Sequence, residues 1–530
     1  MTFTALYHFV FQLLGCSRQS LKPLFGAAIA CCVCASSLVG CGEQGPSEAD
    51  LSEFGRFIYA LDTARMERCL RQTLAADTSH WLAESKVRHR YADESRFADI
   101  PLWFTRMGVS ADADSLLALL RREVPAGGLD STAFFVPTIA NDLNIVRKLA
   151  FDSLGVDINE VLVRLDYHLS KAYVRFTTGM RYGFVRPDKL LNRLEFREER
   201  GYLRLFDYEV KAPDYTLSLN ALMSDDRMAF AYTSVPQSKV YNQLRERLVT
   251  TTDSQQRHTS AVNLERCRWQ IAQPAEEGRQ VIVNLPAQQL WAISADTILN
   301  MRICFGSTAT KTPLLHSAIT HFNVNPAWVI PQNIIRSDIV RHAGDASYFA
   351  RNRYSIINRA TGDTLRAASV SAEQLLSGRL RISQAGGARN SLGRIIFRFP
   401  NEFAVFLHDT SNRAAFQRER RALSHGCIRV EKPFELAKFL LPDADEWTMD
   451  KLRISMDLAP MTDQGLEYLE EHADEPRPFR LINYHGVKPN VPVYITYFTA
   501  YPNPASGQVE FYPDFYGYDE AVAGEIPFLF

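Results

Sequence analysis

Between Phe403 and Val430 the chain reads FAVFLHDTSNRAAFQRERRALSHGCIRV. A thiol attacks a carbonyl only as thiolate, and with an ordinary pKa of roughly 8.5 a cysteine needs an imidazole or a cation close by to supply that form. His425, Gly426, Cys427 and Arg429 fall within five positions, and His408 closes a strand-like run upstream. If Cys427 opens a strand, alternation puts His425 and Arg429 on its side, where Arg429 can stabilise a thiolate or a substrate carboxylate. His408 arrives from the end of another strand and can meet the sulfur face to face, which makes it the better base. Gly426 lets the backbone approach a substrate closely, and the amides of Gly426 and Cys427 are natural donors to an oxyanion. Two other readings of the same residues stay open: a buried structural cysteine with a satisfied histidine nearby, and a zinc site drawn from His408, Asp409, His425 and Cys427.

The elements that must position this cluster read as sheet. Val281–Val283, Met301–Phe305, Arg394–Phe399, Phe403–Leu407 and Val491–Thr499 are short runs rich in β-branched and aromatic residues, separated by Gly, Pro, Asn and Asp. A helix is predicted at Pro433–Leu441, with Phe434, Leu436, Ala437 and Leu440 on its apolar face. Upstream the period is helical: Leu51 to about Leu74, a run after Ser110, and Asn159 to Phe176, with Gly179 expected just beyond the last helix's end. The polar run Thr250–Gln256 places the join between helical and sheet-rich parts near residues 250–262. Residues 325–392 carry few strand signals between two parts that do, which reads either as a lid over a site built on a rigid sheet or as a long decorated connection. The fold class is α+β.

With 59 Lys+Arg against 60 Asp+Glu in 530 residues, the formal charge of −1 gives no basis for bulk attraction to nucleic acid. Five of the nine cysteines lie in the first 41 residues. There the uncharged stretch LFGAAIACCVCASSLV follows Arg18 and Lys22 and leads to Gly40-Cys41. That segment resembles a bacterial lipoprotein signal, which implies cleavage before Cys41, acylation of that cysteine, and a polar tether over residues 42–50. Gly42 in place of an acidic residue points to the outer membrane, with the body in the periplasm. Cys69, Cys267, Cys304 and Cys427 remain for the folded part, too few and too scattered for a disulfide framework or a zinc spacing.

The box Ser424-His425-Gly426-Cys427-Ile428-Arg429, with Leu407-His408-Asp409-Thr410, resembles the signature of the L,D-transpeptidase catalytic family. The likeness extends to the large, YcbB-like branch through Asn263–Trp269, Val283-Asn284-Leu285-Pro286, Asn325–Pro331, Leu392-Gly393-Arg394, Phe399-Pro400-Asn401 and Tyr497–Ala500. It implies a helical scaffold over residues 51–260, a β-rich catalytic domain over 262–500 with its lid at 325–392, and a C-terminal extension over 501–530. Carried onto this chain, Cys427 is the acyl-accepting nucleophile and His408 the base, oriented by the backbone carbonyl of Asp409. His425 stands beside the nucleophile, the amides of Gly426 and Cys427 face the oxyanion, and Arg429, Ser424 and Trp328 face the substrate. The implied reaction joins peptidoglycan stem peptides by 3→3 crosslinks with release of D-Ala, and needs no metal or organic cofactor. Carbapenems are the expected inhibitors. An L,D-carboxypeptidase or wall-detaching hydrolase is the alternative within the same chemistry, and a non-catalytic peptidoglycan-binding lipoprotein the alternative outside it. Cys267 is read as a small buried hydrophobe.

Overall fold

A computed structural model describes residues 61–79, 81–93, 101–105, 108–198, 201–477 and 479–530. The export segment, Cys41 and the tether lie outside the described residues. In the scaffold, α1 (Thr63–Ala76), α2 (Glu84–Ala92), α3 (Ala111–Ala126) and α4 (Val136–Arg147) surround α5 (Ile158–Tyr182). α5 is buried along nearly its whole length, including Lys171, whose ammonium lies 2.7–2.8 Å from both carboxylate oxygens of Asp77. Among the described residues no helix is long and apolar enough to cross a membrane.

The helix predicted to stop before Gly179 runs on to Tyr182, and Gly183, at φ +80°, ends it. Gly179 has a packing role instead: a Cβ there would stand 2.1 Å from Cζ of the Phe184 ring. That ring is held in edge contact with Phe134 and Phe528. Gly183 is where the chain turns onto Glu265, whose carboxylate accepts from Phe184 N at 2.6 Å and Val185 N at 3.0 Å.

The polar run read as the join is a turn between α6 (Lys239–Thr250) and α7 (Ser254–Arg268), capped by the Asp253 side chain on Gln256 N. Helical structure therefore continues to Arg268, and α7 packs on both parts. Its Arg268 donates to Gly127 O at 2.5 Å in the scaffold, and its Asn263 donates to Thr499 Oγ1 at 2.7 Å at the far end of the sheet.

The strands follow in order: β1 (Gln280–Asn284), β2 (Gln289–Ile293), β3 (Ile298–Gly306), β4 (Leu315–Val324), β5 (Trp328–Val329), β6 (Tyr354–Asn358), β7 (Thr364–Leu365), β8 (Leu380–Gln384), β9 (Ile395–Arg398), β10 (Leu407–His408), β11 (Ala422–Ser424), β12 (Ile428–Val430) and β13 (Tyr484–Thr496). Nine of these form one sheet in the order β11-β3-β12-β10-β9-β4-β13-β1-β2. Because β3 also pairs with β2, the sheet closes on itself and leaves few free edges. β2 and β4 gave no strand signal in the sequence; β4 lies between β9 and β13, and its run LHSAITHFNV dilutes the apolar alternation with His, Ser and Thr. α8 (Pro433–Leu440) follows β12.

Phe403–Val405, expected as strand, is a turn wrapped around Asn401. The Asn401 side chain donates to Phe399 O and Val405 O and accepts from Phe403 N and Val405 N, taking backbone groups that a strand would pair. Residues 325–392 contain a second sheet, β7-β6-β8-β5, over a separate core that includes Ile330, Ile335, Phe349, Ile356, Leu375 and Ile382. The C-terminal residues return to the scaffold: Asp130 N donates to Phe528 O at 2.8 Å, and the Phe528 ring packs edge-on against Trp81, Phe134 and Phe184.

Gly179→Ala is expected to destabilise the protein. The gain in helix propensity is ~1 kcal/mol, while overpacking against a fixed aromatic ring costs about 1–3 kcal/mol. A lower melting temperature by calorimetry checks this; an unchanged or raised midpoint contradicts the packing role.

Candidate active site

β10 is the centre of the site. It pairs antiparallel with β9, placing His408 opposite Ile396, and parallel with β12, placing Leu407 beside Ile428 and His408 beside Arg429. Ile428 N donates to Phe406 O at 3.2 Å, so the residue just before β12, Cys427, is drawn against the chain that enters β10. The Cys427 thiol donates to Ala404 O at 3.8 Å, on the Asn401 turn, where Ala404 has φ +54°.

His408 is buried, and its Nδ1 lies 2.5 Å from the Asp409 carbonyl oxygen. A carbonyl can only accept, so Nδ1 carries the proton and the neutral ring has Nε2 as its basic nitrogen. The Asp409 carboxylate is used elsewhere: it accepts from Arg394 N at 2.9 Å and Arg413 Nη1 at 3.0 Å. Gly393, at φ +65°, makes room for it, since a Cβ there would stand 2.4 Å from Asp409 Cγ. The Phe406 ring packs edge-on to the His408 ring at 5.7 Å, and the Arg398 guanidinium lies 5.0 Å from the centre of the Phe406 ring.

Burial governs the protonation of both candidate groups. It pushes the Cys427 thiol up to about 11, against weaker downward pulls from the Phe406 amide and the Arg398 and Arg429 guanidiniums. It pushes His408 down to about 3, helped by Arg429 and opposed by the backbone of Asp409 and Leu392. The resting pair is a neutral thiol and a neutral imidazole, and among the described residues no hydrogen bond joins Cys427 to His408. Arg429 sits opposite Cys304 on β3, has a buried Nε without a partner, and is itself pushed down by burial.

The turn before the thiol is stapled internally. Ser424 Oγ accepts from Gly426 N at 3.1 Å and donates to Cys427 O at 2.5 Å. The Gly426 amide, expected as an oxyanion donor, is thus committed to Ser424, and the Ser424 hydroxyl, expected to face substrate, is committed to the turn. Cys427 N has no acceptor among the described residues. His425 Nε2 lies 3.2 Å from Asp338 Oδ2 in the 325–392 insertion, with 37% and 42% of the two side chains exposed. Trp328 is on β5, paired with Gln384 and packed on the insertion's own core.

The four residues left open as zinc ligands therefore turn to different partners, and among the described residues no cluster of three or more His, Cys, Asp or Glu side chains is arranged to hold a metal. Asp338, Arg398 and Arg413 were not singled out from sequence. Asp338 meets His425 only through the fold of the 325–392 insertion, and no local spacing announces it.

Residues 278–455 match the model of the L,D-transpeptidase catalytic domain. The C-terminal part of the chain carries an L,D-transpeptidase catalytic domain. Residues 87–248 match a model described as a scaffold domain. A Haemophilus influenzae protein named "Putative L,D-transpeptidase" is 29% identical over 311 residues. That match spans 57% of this chain and 58% of the relative's own length. The transpeptidase match runs from just before β1 to the end of the helix Glu446–Ser455 and so takes in β10, the stapled turn and β12.

A neutral resting thiol makes a testable difference. Alkylation of Cys427 by iodoacetamide in the L,D-transpeptidase domain is expected to be slow at pH 7 and to rise about tenfold per pH unit toward a pKa near 11, because only the thiolate reacts. Arg429→Gln removes a cation that lowers the thiol's pKa, so the profile should move to higher pH. A rate already on its plateau at pH 7 would show a preformed ion pair and sink this account.

Proposed function

We propose that the chain is a cysteine L,D-transpeptidase that forms 3→3 crosslinks in peptidoglycan. The observation that supports the reading is the parallel pairing of β10 with β12, which sets the strand that ends in His408, with its fixed Nδ1–H tautomer, beside the strand that Cys427 leads into. Cys427 attacks the carbonyl between the L-centre of the diamino acid and the terminal D-Ala of a stem tetrapeptide. Its side chain turns from Ala404 O toward His408, whose Nε2 takes the thiol proton as the C–S bond forms. Because the resting groups are neutral, the charged pair exists only along the reaction path, where the Asp409 carbonyl stabilises the imidazolium. The oxyanion accepts from Cys427 N–H. His408 then passes its proton to the departing D-Ala amine and leaves a thioester on Cys427. The side-chain amine of a second stem attacks that thioester and completes the crosslink.

Ser424 acts in this scheme by holding the turn, and His425 by meeting the lid through Asp338. The lid shields the thioester from water, so its position sets transfer against hydrolysis. A carbapenem is expected to acylate the same sulfur. The lipoprotein-like leader supports attachment through Cys41 to the outer membrane, facing the periplasm.

Incubation of the full chain with disaccharide tetrapeptides, read by mass spectrometry, is expected to give free D-Ala and 3→3 dimers. Tripeptide without dimers would move the assignment to a carboxypeptidase, and absence of both products would end the enzymatic reading. Cys427→Ser should abolish turnover. His408→Ala should slow acylation by roughly two to four orders of magnitude; near-normal acylation in that variant would remove His408 as the base.

A further inference from the structure

We propose that Thr312, held by Tyr516 of the C-terminal segment, is the residue that aims the Cys427 N–H at the oxyanion. This rests on the reading of Cys427 as the acyl-accepting nucleophile.

A trans peptide unit carries its C=O and its N–H in opposite directions, so whatever fixes one fixes the other. The unit joining Gly426 to Cys427 therefore cannot turn its N–H into the cleft unless the Gly426 carbonyl points away from it. Gly426 has φ +116°, a conformation open to glycine and hardly to any other residue, and the same freedom lets the adjoining peptide rotate cheaply. Something outside the turn must select one orientation. Ser424 does not do this, because its hydroxyl binds Gly426 N and Cys427 O, which belong to the peptide units on either side.

The Thr312 hydroxyl binds the unit in question. Thr312 Oγ1 donates to Gly426 O at 2.8 Å and accepts from Gly306 N at 2.9 Å. An amide can only donate and a carbonyl only accept, so the direction of the hydroxyl proton is settled. Thr312 is fully buried, away from competing water. Its own amide donates to Tyr516 Oη at 3.1 Å, and Tyr516 Oη donates to Gly306 O at 2.7 Å. Tyr516 N in turn donates to Tyr497 Oη at 2.7 Å, and Tyr497 Oη to Asp514 at 2.6 Å. Gly306 allows the loop to fold onto itself, since a Cβ there would stand 2.2 Å from Thr310 O and 2.6 Å from Thr312 N. The chain of contacts thus runs from Asp514 through two tyrosines to one hydroxyl and one peptide. A hydrogen bond on the Gly426 carbonyl also polarises the same amide and strengthens the Cys427 N–H as a donor.

Thr312 touches neither sulfur nor imidazole, so it is a positioning residue. Its removal should affect steps that build an oxyanion and leave alone a displacement at sulfur that builds none. In the full chain, Thr312→Val is expected to slow carbapenem acylation of Cys427, followed by intact mass, by about 10–100-fold, somewhat less than outright loss of an oxyanion donor. Iodoacetamide alkylation of the same thiol should stay within about twofold of the parent, because that displacement needs no oxyanion donor. Thr312→Ser keeps the hydroxyl and should restore acylation. Parental acylation in the valine variant, an equal loss of alkylation, or failure of serine to rescue would overturn the proposal. Should valine prevent folding, Tyr516→Phe decides. It keeps the ring, frees Thr312 N and Gly306 O, and is expected to slow acylation selectively; an unchanged rate overturns the proposal. If the parent protein itself is not acylated at Cys427, the underlying reading fails, whereas normal acylation in parent and variants alike removes only the role of Thr312.

Discussion

β10 and β12 meet over only two residue pairs, Leu407 with Ile428 and His408 with Arg429, yet that contact sets the strand of His408 beside the one that Cys427 leads into, on which the proposed chemistry depends. Parallel neighbours cannot be joined by a tight hairpin, and the connection between them is long enough to contain a 3₁₀ turn, β11 and the stapled turn. Such a short pairing could slip by one residue and turn each side chain to the other face. Outside supports hold it in register. Asn401 gathers the backbone that leads into β10, Gly393 admits the Asp409 carboxylate beneath it, and β3 clasps both β11 and β12. The closed sheet matters to the chemistry because it keeps those supports fixed relative to one another.

Burial sets the electrical state of the cluster. Desolvation raises the thiol and lowers the imidazole, and both shifts oppose a thiolate–imidazolium pair. The cations that could favour a thiolate, Arg398 and Arg429, disfavour the imidazolium when they lie close to it, as Arg429 does. In the proposed reaction such a site holds its nucleophile uncharged until a substrate offers a carbonyl carbon to the sulfur and an oxyanion to the Cys427 amide. Reactivity then depends on donor geometry more than on a standing charge.

The sequence made the chemical box readable because its members are nearly adjacent, so strand alternation alone relates His425, Cys427 and Arg429. It made His408 readable because a polar residue closing an apolar run marks the end of a strand. Phe403–Val405 was misread since composition favoured a strand while one asparagine side chain, two residues upstream, took the backbone hydrogen bonds. Gly179 was misread as a stop signal because the reason for glycine there is the ring of Phe184, which only the folded helix brings near. The commitment of Gly426 N to Ser424 and the hold of Thr312 on Gly426 O depend on hydroxyl directions and on a contact across 114 positions, which no local pattern encodes.

The 325–392 insertion, proposed as a lid, differs from the rest of the catalytic part in how it is attached. Its apolar cluster is separate from the main core, so a change in its position need not unpack the sheet. Its neck is narrow and tightly built: Asn325 N donates to Arg394 O at 2.6 Å, and a Cβ on Gly386 would stand 2.3 Å from Asn325 O. It meets the turn before Cys427 through the half-exposed pair His425–Asp338, and exposed pairs of that kind contribute only about 0–1 kcal/mol. An interaction that weak cannot by itself hold a lid closed against water. In the proposed reaction the substrate must supply the remainder, so shielding of the thioester follows occupancy of the cleft and relaxes when the acceptor peptide has left.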